Sequence, residues 1–414
     1  MSMSHDNTII GLDVGTCNTR FVVAQINNEE KKIKILGVGQ APSTGMRKGV
    51  VVDLEETIKA INQAKEIAER ISGYPIDRAY IGVNGNHISC KPNKGVVAVS
   101  RADGEISAED VERTINAASA ICLLQNREIL HVLPRYFIVD NQDKIKDPVG
   151  MSGIRLEVEA LLIEGSTPFI KNLTKCVVRT GVEIDGLILT SLASAQAVLS
   201  NRQKELGVLS LDIGGSTTGL TVFEEGDIIH TQVLPIGSSH VTNDIALGLR
   251  IPVDVAEKIK IEYGSVLPEE FSKKDVIDLS AIEGGGDGLV TKQHLAEIIE
   301  ARMSEIFDFV NKELKKIDRQ GLLPAGVVLT GGGAKMPGLV DFTKNKLRLP
   351  AQIGFPVALD GIADQVDDPC FATVVGLALW GVNRQKKFNK SNLLNFSSNK
   401  RVVQLVRWFR RFLP

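Results

Sequence analysis

The residues best suited to chemistry fall in three glycine-rich turns. The first runs Asp13-Val14-Gly15-Thr16-Cys17-Asn18 and the second Asp212-Ile213-Gly214-Gly215-Ser216-Thr217. The third, Gly331-Gly332-Gly333, follows the apolar run Val327-Val328-Leu329-Thr330. Lacking Cβ atoms, Gly15, Gly214 and Gly215 let backbone N–H groups come close to phosphate oxygens. Thr16, Ser216 and Thr217 add hydroxyl donors. Asp13 and Asp212 would repel the same phosphates unless a cation lay between them. A hydrated Mg2+, which accepts carboxylates while retaining waters, resolves that conflict. A triple-glycine turn allows bare backbone to lie against a flat ring such as adenine, where a side chain would collide. One such turn alone says little; three together point to a phosphate-bearing nucleotide.

The elements that must carry these turns repeat. Residues 9–14 and 208–213 are apolar strands ending in Leu-Asp-Val-Gly and Leu-Asp-Ile-Gly, and each turn opens a second apolar strand at 18–23 and 217–222. A polar turn at 27–32 or 224–227 and a third strand follow, a pattern of consecutive hairpins. Repetition of a unit this large predicts two similar halves with their turns opposed. Between the copies, 54–71 reads as an amphipathic helix and 79–83 as a buried strand. Residues 84–164 differ in texture. Ser107-Ala108-Glu109-Asp110 is a capping box opening a helix to about 124, among strands at 87–90, 96–99, 128–139 and 154–163. This is enough for a small inserted α+β unit. Pro168 opens another helix, 182–190 is a strand and 193–199 a helix. Helices at 239–247, 253–263 and 291–317 are expected in the second half. The run 283–288, without a strand-then-helix setting, reads as a flexible loop rather than a phosphate cradle.

Composition narrows the class. The 414 residues carry 48 Lys+Arg and 50 Asp+Glu, a net charge of −2 that averages two unlike regions. Nine basic and no acidic residues lie beyond residue 383, leaving 39 basic against 50 acidic, or −11, in the body. An acidic body does not suit nucleic-acid binding. Five cysteines without a C-x-x-C pair fit reduced thiols and give neither a disulfide frame nor a zinc site. Residues 1–8 are polar, unlike a secretion signal, and the longest apolar run, 371–382, is short of the ~20 residues of a membrane span. A cytoplasmic chain is expected. No G-x-x-x-x-G-K-[ST] occurs, which excludes a P-loop.

The tail is the other chemical feature. With 100° per residue, Val402, Leu405, Val406, Trp408, Phe409, Phe412 and Leu413 share an arc of about 160°. Arg407, Arg410 and Arg411 lie opposite. Aromatics on one face and arginines on the other describe a helix lying in a lipid headgroup layer, each arginine contributing roughly 1 kcal/mol on anionic lipid.

The two Leu-Asp-[Val/Ile]-Gly hairpins and the Val-Leu-Thr-Gly-Gly-Gly-Ala segment through Pro337 resemble the phosphate and adenosine motifs of the actin, Hsp70 and sugar-kinase superfamily. Over nearly its whole length the chain is similar to the bacterial FtsA family of cell-division proteins. The insertion, the Gly-Gly-Ser-Thr-Thr hairpin and the basic amphipathic terminus narrow it to that family. The resemblance implies an α/β, two-lobed, actin-like (ribonuclease H-like) ATPase fold with an α+β insertion of the 1C type and a C-terminal amphipathic helix. Subdomain 1A would comprise 1–83, 165–204 and 361–383, with 84–164 inserted as 1C. Subdomain 2A would comprise 205–240 and 321–360, with 241–320 as 2B. A flexible linker at 384–399 and a membrane-targeting helix at 400–414 would follow.

The implied cofactors are ATP and Mg2+. The hairpins, including Asn18, would hold the phosphates, Asp13 and Asp212 the metal through water, and Gly331 to Gly333 the adenosine. Ala256-Glu257-Lys258-Ile259-Lys260 resembles the superfamily's A-E-x-x-K helix, so Glu257 and Lys260 would contact ribose and adenine. The implied role is a peripheral scaffold at the division septum that self-associates, tethers FtsZ filaments to anionic inner-membrane lipid and recruits later division proteins. Arg302 would meet the FtsZ C-terminal peptide. Two departures bear on turnover. Ser191 stands where Hsp70 and bacterial actins carry a water-orienting Glu, with Gln196 too far along the helix to replace it. Losing such a group costs a factor on the order of 10²–10⁴. Asn18 stands where relatives often carry Lys. Weak or absent ATPase is expected. Two other readings share the fold: a sugar or acetate kinase, which needs a catalytic carboxylate, and a pilus-assembly actin-like protein, which would lack the terminal helix.

Overall fold

A computed structural model of the chain describes residues 8–27, 32–120, 125–282, 284, 288–357 and 359–394. The expected membrane helix, with Val402, Leu405, Val406, Arg407, Trp408, Phe409, Arg410, Arg411, Phe412 and Leu413, lies outside the described residues, as does most of the loop 283–288.

The first half begins with an antiparallel meander, β1 (Thr8–Val14), β2 (Asn18–Asn27) and β3 (Lys32–Pro42). A small ribbon, β4 (Met46–Arg47) with β5 (Val50–Val51), leads into α1 (Leu54–Ser72) and β6 (Arg78–Val83). Helix α1 forms because Asp53 caps the Glu56 N–H, Ile58, Ile61, Ala64 and Ala68 make one buried stripe, and Gly73 ends it at φ 72°. The insertion then supplies β7 (Ser89–Ala98), α2 (Ala108–Ser119), β8 (Arg127–Val139), β9 (Gln142–Ile145) and β10 (Arg155–Ser166). They form a four-stranded sheet in the order β7-β10-β8-β9 with its own apolar core. The chain returns through α3 (Thr167–Arg179), β11 (Glu183–Leu189), α4 (Thr190–Val198) and α5 (Asn201–Leu206).

The second half repeats the plan with β12 (Val208–Ile213), β13 (Thr218–Glu224) and β14 (Asp227–Leu234), then α6 (Ser238–Leu249) and α7 (Val253–Tyr263). A hairpin, β15 (Val276–Asp278) with β16 (Leu289–Thr291), precedes the long α8 (Lys292–Lys316). β17 (Val327–Thr330), α9 (Leu339–Leu347), β18 (Ala351–Ile353), β19 (Leu359–Gly361) and α10 (Ala372–Leu394) complete it. The two large sheets run β11-β6-β1-β2-β3-β19 and β14-β13-β12-β17-β18. In each, the meander pairs antiparallel and the crossover strands add in parallel beside its first strand. The predicted internal repeat is therefore a repeat of topology.

Helix α4 is buried almost all round, and its small residues let α10 cross closely, with Gly376 against the Ala193 carbonyl. Val22 and Ile35 of the first sheet and Val208 and Val328 of the second share one core with α4 and α10. This common core holds the two halves face to face.

Three local expectations change. The strands expected at 87–90 and 96–99 are one, β7, running through Pro92 because it is an edge strand whose outer N–H groups need no partner. Gly95 within it permits contact with α2, since a Cβ there would strike the Thr114 carbonyl. Helix α2 ends at Ser119 rather than about 124. Helix α10 continues to Leu394, through residues whose polarity suggested linker, because nothing between Gly381 and Leu394 breaks a helix.

Candidate functional site

The first two turns close in the same way. Gly15 N–H donates to the Asn18 carbonyl at 3.1 Å, and Gly214 N–H to the Thr217 carbonyl at 2.9 Å. They meet tip to tip, with Thr16 Oγ1 2.6 Å from Ser216 Oγ and Asn84 Nδ2 donating to Thr217 Oγ1 at 2.9 Å. The carbonyls of Gly214 and Gly215 accept from the N–H groups of Ser238 and Ser239, tying the second turn to the start of α6. Gly237 makes this approach possible, since a Cβ there would sit 2.7 Å from the Gly215 carbonyl.

Beneath the turns lies a cavity of about 450 Å³. Asp13, Gly15, Thr16, Asn18, Asp212, Gly214, Gly215, Thr217, Glu257, Lys260, Gly331, Gly332 and Gly333 all line it. Ser216 does not; it is buried and hydrogen-bonded to Thr16. Gly331 adopts φ +80° and packs its Cα against Asp212, where a Cβ would collide with Oδ1. At Gly332, by contrast, a Cβ would meet only Cys370 Sγ at 3.7 Å, so packing does not require glycine there. Lys260 Nζ donates to Glu257 Oε2 at 2.6 Å and to Thr242 Oγ1 at 2.8 Å, and Thr242 bonds the same Glu257 oxygen.

Two carboxylates at the cavity floor set its electrostatics. Burial pushes Asp13 up to about 6; Arg20 opposes the shift and the Asp212 charge adds to it. Burial also raises Asp212, against hydrogen bonds from Thr373 and Ser194 and the charge of Arg20. Thr373 Oγ1, in the first turn of α10, donates to Asp212 Oδ2 at 3.0 Å. Such a pair suits a cation. Among the described residues no group of three or more His, Cys, Asp or Glu could cage a metal. Two oxygen donors on a cavity of about 450 Å³ fit a hydrated, hard cation that would share its remaining positions with water and ligand.

Three other residues singled out in the sequence lie outside the cavity. Ser191 is buried, 3.0 Å from Thr231 Oγ1, with its Cβ against Gly219; Thr190 lines the cavity instead. Gln196 accepts from Lys204 at 3.2 Å. Arg302 is held on the body by Asp244, at 2.5 and 2.8 Å, and by Glu305, away from the cavity. The sequence reading missed Arg20, Asn84, Lys335, Cys370 and Thr373, all lining residues. Arg20 and Lys335 stood inside the quoted motifs; Asn84 and Thr373 gave no local signal.

Comparison with known proteins joins this geometry to a family. A profile for cell division protein FtsA matches residues 209–376, and one for the SHS2 domain inserted in FtsA matches 85–164, the inserted sheet. Cell division protein FtsA of Pseudomonas aeruginosa is 38% identical over 384 residues, covering 93% of this chain and 91% of that protein. That of Bacillus subtilis is 40% identical, covering 91% and 83%. The chain belongs to the FtsA family of cell division proteins. Solved structures of the same fold include a PilM–PilN type IV pilus biogenesis complex, with TM-score 0.66 and 17% identity over 90% of this chain and 98% of that one. Another is MreB5 of Spiroplasma citri bound to AMPPNP, with TM-score 0.54 and 15% identity over 94% and 100%. The FtsA-family chain therefore has an actin-like fold with the family's insertion in place.

Proposed function

We propose that the cavity binds ATP with Mg2+, and that the protein is an ATP-dependent division scaffold rather than a metabolic kinase. The observation that carries this reading is the pair of equivalent turns, each followed from its aspartate, closing over one cavity from two halves of the fold. The phosphates would take the N–H groups and hydroxyls of the turns. Mg2+, held through water by Asp13 and Asp212, would neutralise phosphate charge. Gly331 to Gly333 would take the adenine face, with Glu257 and Lys260 on the ribose side. That an MreB5 with this fold was solved with AMPPNP supports the choice of nucleotide.

Turnover is slow in this reading. Among the described residues the carboxylates lining the cavity are Asp13, Asp212 and Glu257, the first two committed to the cation and the third tied to Lys260. None is left over to orient water, and Ser191 is occupied with Thr231. Brisk substrate-dependent ATP consumption in a coupled assay would favour the kinase reading and overturn this one.

Family membership supports a division role; the finer one proposed is a peripheral protein on the cytoplasmic face of the inner membrane. The 400–414 helix would bind anionic lipid, and the body would bind the FtsZ C-terminal peptide, later division proteins and further copies of itself. Among the described residues no helix is long and apolar enough to cross a membrane. For the peptide, Arg302 would have to exchange Asp244 for a peptide carboxylate. The test is co-sedimentation with anionic vesicles, ATP and FtsZ. The full chain should bring FtsZ down, whereas a chain lacking 400–414, or carrying Trp408→Glu, should leave both in the supernatant. Unchanged pelleting by either variant would defeat the tethering role.

A further inference from the structure

We propose that the inserted sheet is a strap that holds the two halves closed and slows release of the nucleotide, an inference that rests on the nucleotide reading above. The insertion is rooted in the first half but lies on both. Strands β11 and β14 are edge strands, one of each large sheet. Strand β8 packs on β11, where His131 Nε2 accepts the Leu189 N–H at 3.1 Å. Strands β7, β8 and β10 pack on β14. The core around α4 and α10 joins the halves face to face, and the insertion joins them a second time along one edge.

Its ties to the second half are both apolar and charged. Val233 of β14 belongs to the same buried core as Leu130, Leu133 and Leu161 of the insertion. Lys146, just past β9, lies 3.8 Å from Asp227 Oδ2 and donates to the Glu225 carbonyl, both at the β13–β14 turn. The root is stiff. Arg127 donates to the His87 and Glu164 carbonyls at 3.0 and 3.1 Å. The buried Glu164 carboxylate accepts from Ser89 and Lys91, each at 2.8 Å. His87 Nδ1 accepts the Ser166 N–H at 3.1 Å, which clamps the two connections to each other. A sheet held this way does not follow the second half when that half moves.

The structure shows the closed arrangement. The Thr16 and Ser216 hydroxyls touch at 2.6 Å over the cavity, and Asn84, where the insertion begins, spans the halves to Thr217 at 2.9 Å. A nucleotide beneath turns in contact leaves only when they part. The second turn continues directly into β13 and β14, so parting the turns draws β14 away from the insertion. The contacts with β14 are therefore made when the halves are closed and lost when they open, and such contacts shift the balance towards closure.

The test loads the full chain with mant-ATP and Mg2+, chases with excess ATP, and times the release by stopped flow. Wild type is compared with Lys146→Glu, Asp227→Lys and the double variant carrying both. Burial raises the Asp227 carboxyl, Lys146 and Arg135 oppose that, and Glu205 and Glu225 add to it. Lys146→Glu therefore sets a third negative side chain against Asp227, and Asp227→Lys faces Lys146 and Arg135. Each single variant should release nucleotide roughly three- to tenfold faster, with little change in association rate. The double variant, with the pair restored in reverse, should return to within about twofold of wild type. The differences should shrink in high salt. Wild-type release from both single variants would overturn the strap, and so would fast release that the double variant does not recover. Melting curves check folding. If the charge reversals do not fold, Lys146→Gln decides: it should speed release about twofold, and an unchanged rate would refute the proposal. Wild type failing to bind mant-ATP or ATP would instead bring down the nucleotide reading and this inference with it.

Discussion

Asp13→Asn should make the nucleotide-free protein more stable at neutral pH, although it removes a residue central to the site. Burial lifts the Asp13 carboxyl from 3.8 to about 6, so folding favours its protonated form. Between those values the folded state binds more protons than the unfolded one, and stability falls as pH rises. The penalty is absent below about pH 4 and complete above about pH 6. Two units correspond to about 3 kcal/mol, an upper bound because Asp13 opens partly onto the cavity. Asn keeps the shape and drops the charge, so urea unfolding at pH 7.5 without nucleotide should show a gain of about 1–3 kcal/mol. The gain should shrink as pH is lowered through 6 and vanish near 4. Added Mg2+ and ATP should reverse the order, since at a hundredfold excess over Kd a ligand adds about 2.7 kcal/mol to the protein that binds it. Equal or lower stability of the variant at pH 7.5, or a difference that does not vary with pH, would refute the account of Asp13 as a buried charge awaiting a cation.

Five further substitutions, at four positions, separate the roles within the site. Thr373→Val removes the donor that fixes Asp212 and should weaken Mg2+-dependent nucleotide binding on the order of tenfold or more, while Thr373→Ser retains it; calorimetry with and without Mg2+ distinguishes them. Gly331→Ala forces a Cβ into Asp212 at positive φ and should lower thermal stability, by about 1–3 kcal/mol from the backbone strain alone, whereas Gly332→Ala should melt normally and lose only nucleotide affinity. Ser191→Glu should destabilise the fold without conferring ATPase activity, because that side chain packs on Gly219 and Thr231 rather than facing the cavity; a faster phosphate-release rate in a soluble variant would contradict this.

Which parts of the site could be read from the sequence follows from how each residue is positioned. Asp13, Gly15, Asp212 and Gly214 are placed by strands and turns within a few residues of themselves, so a local pattern carries their geometry. The repeat then supplied the global step, because two copies of one hairpin can share a ligand only by facing each other. Asn84 and Thr373 reach the cavity from the end of β6 and the start of α10, through contacts spanning 133 and 161 residues, and an isolated Asn or Thr carries no trace of such a contact. Ser191 shows the reverse error. Alignment by residue count put it at the cavity, but α4 begins at Thr190, and one residue on a helix turns a side chain by 100°. The same reasoning explains α10. Its composition beyond Val382 is largely polar, yet the helix runs on to Leu394 with no Pro or Gly to stop it. Polarity reports loss of burial, and only a breaker such as Pro or Gly reports loss of helix. The final helix therefore carries Thr373, on the Asp212 carboxylate, in its first turn and extends without a break to Leu394.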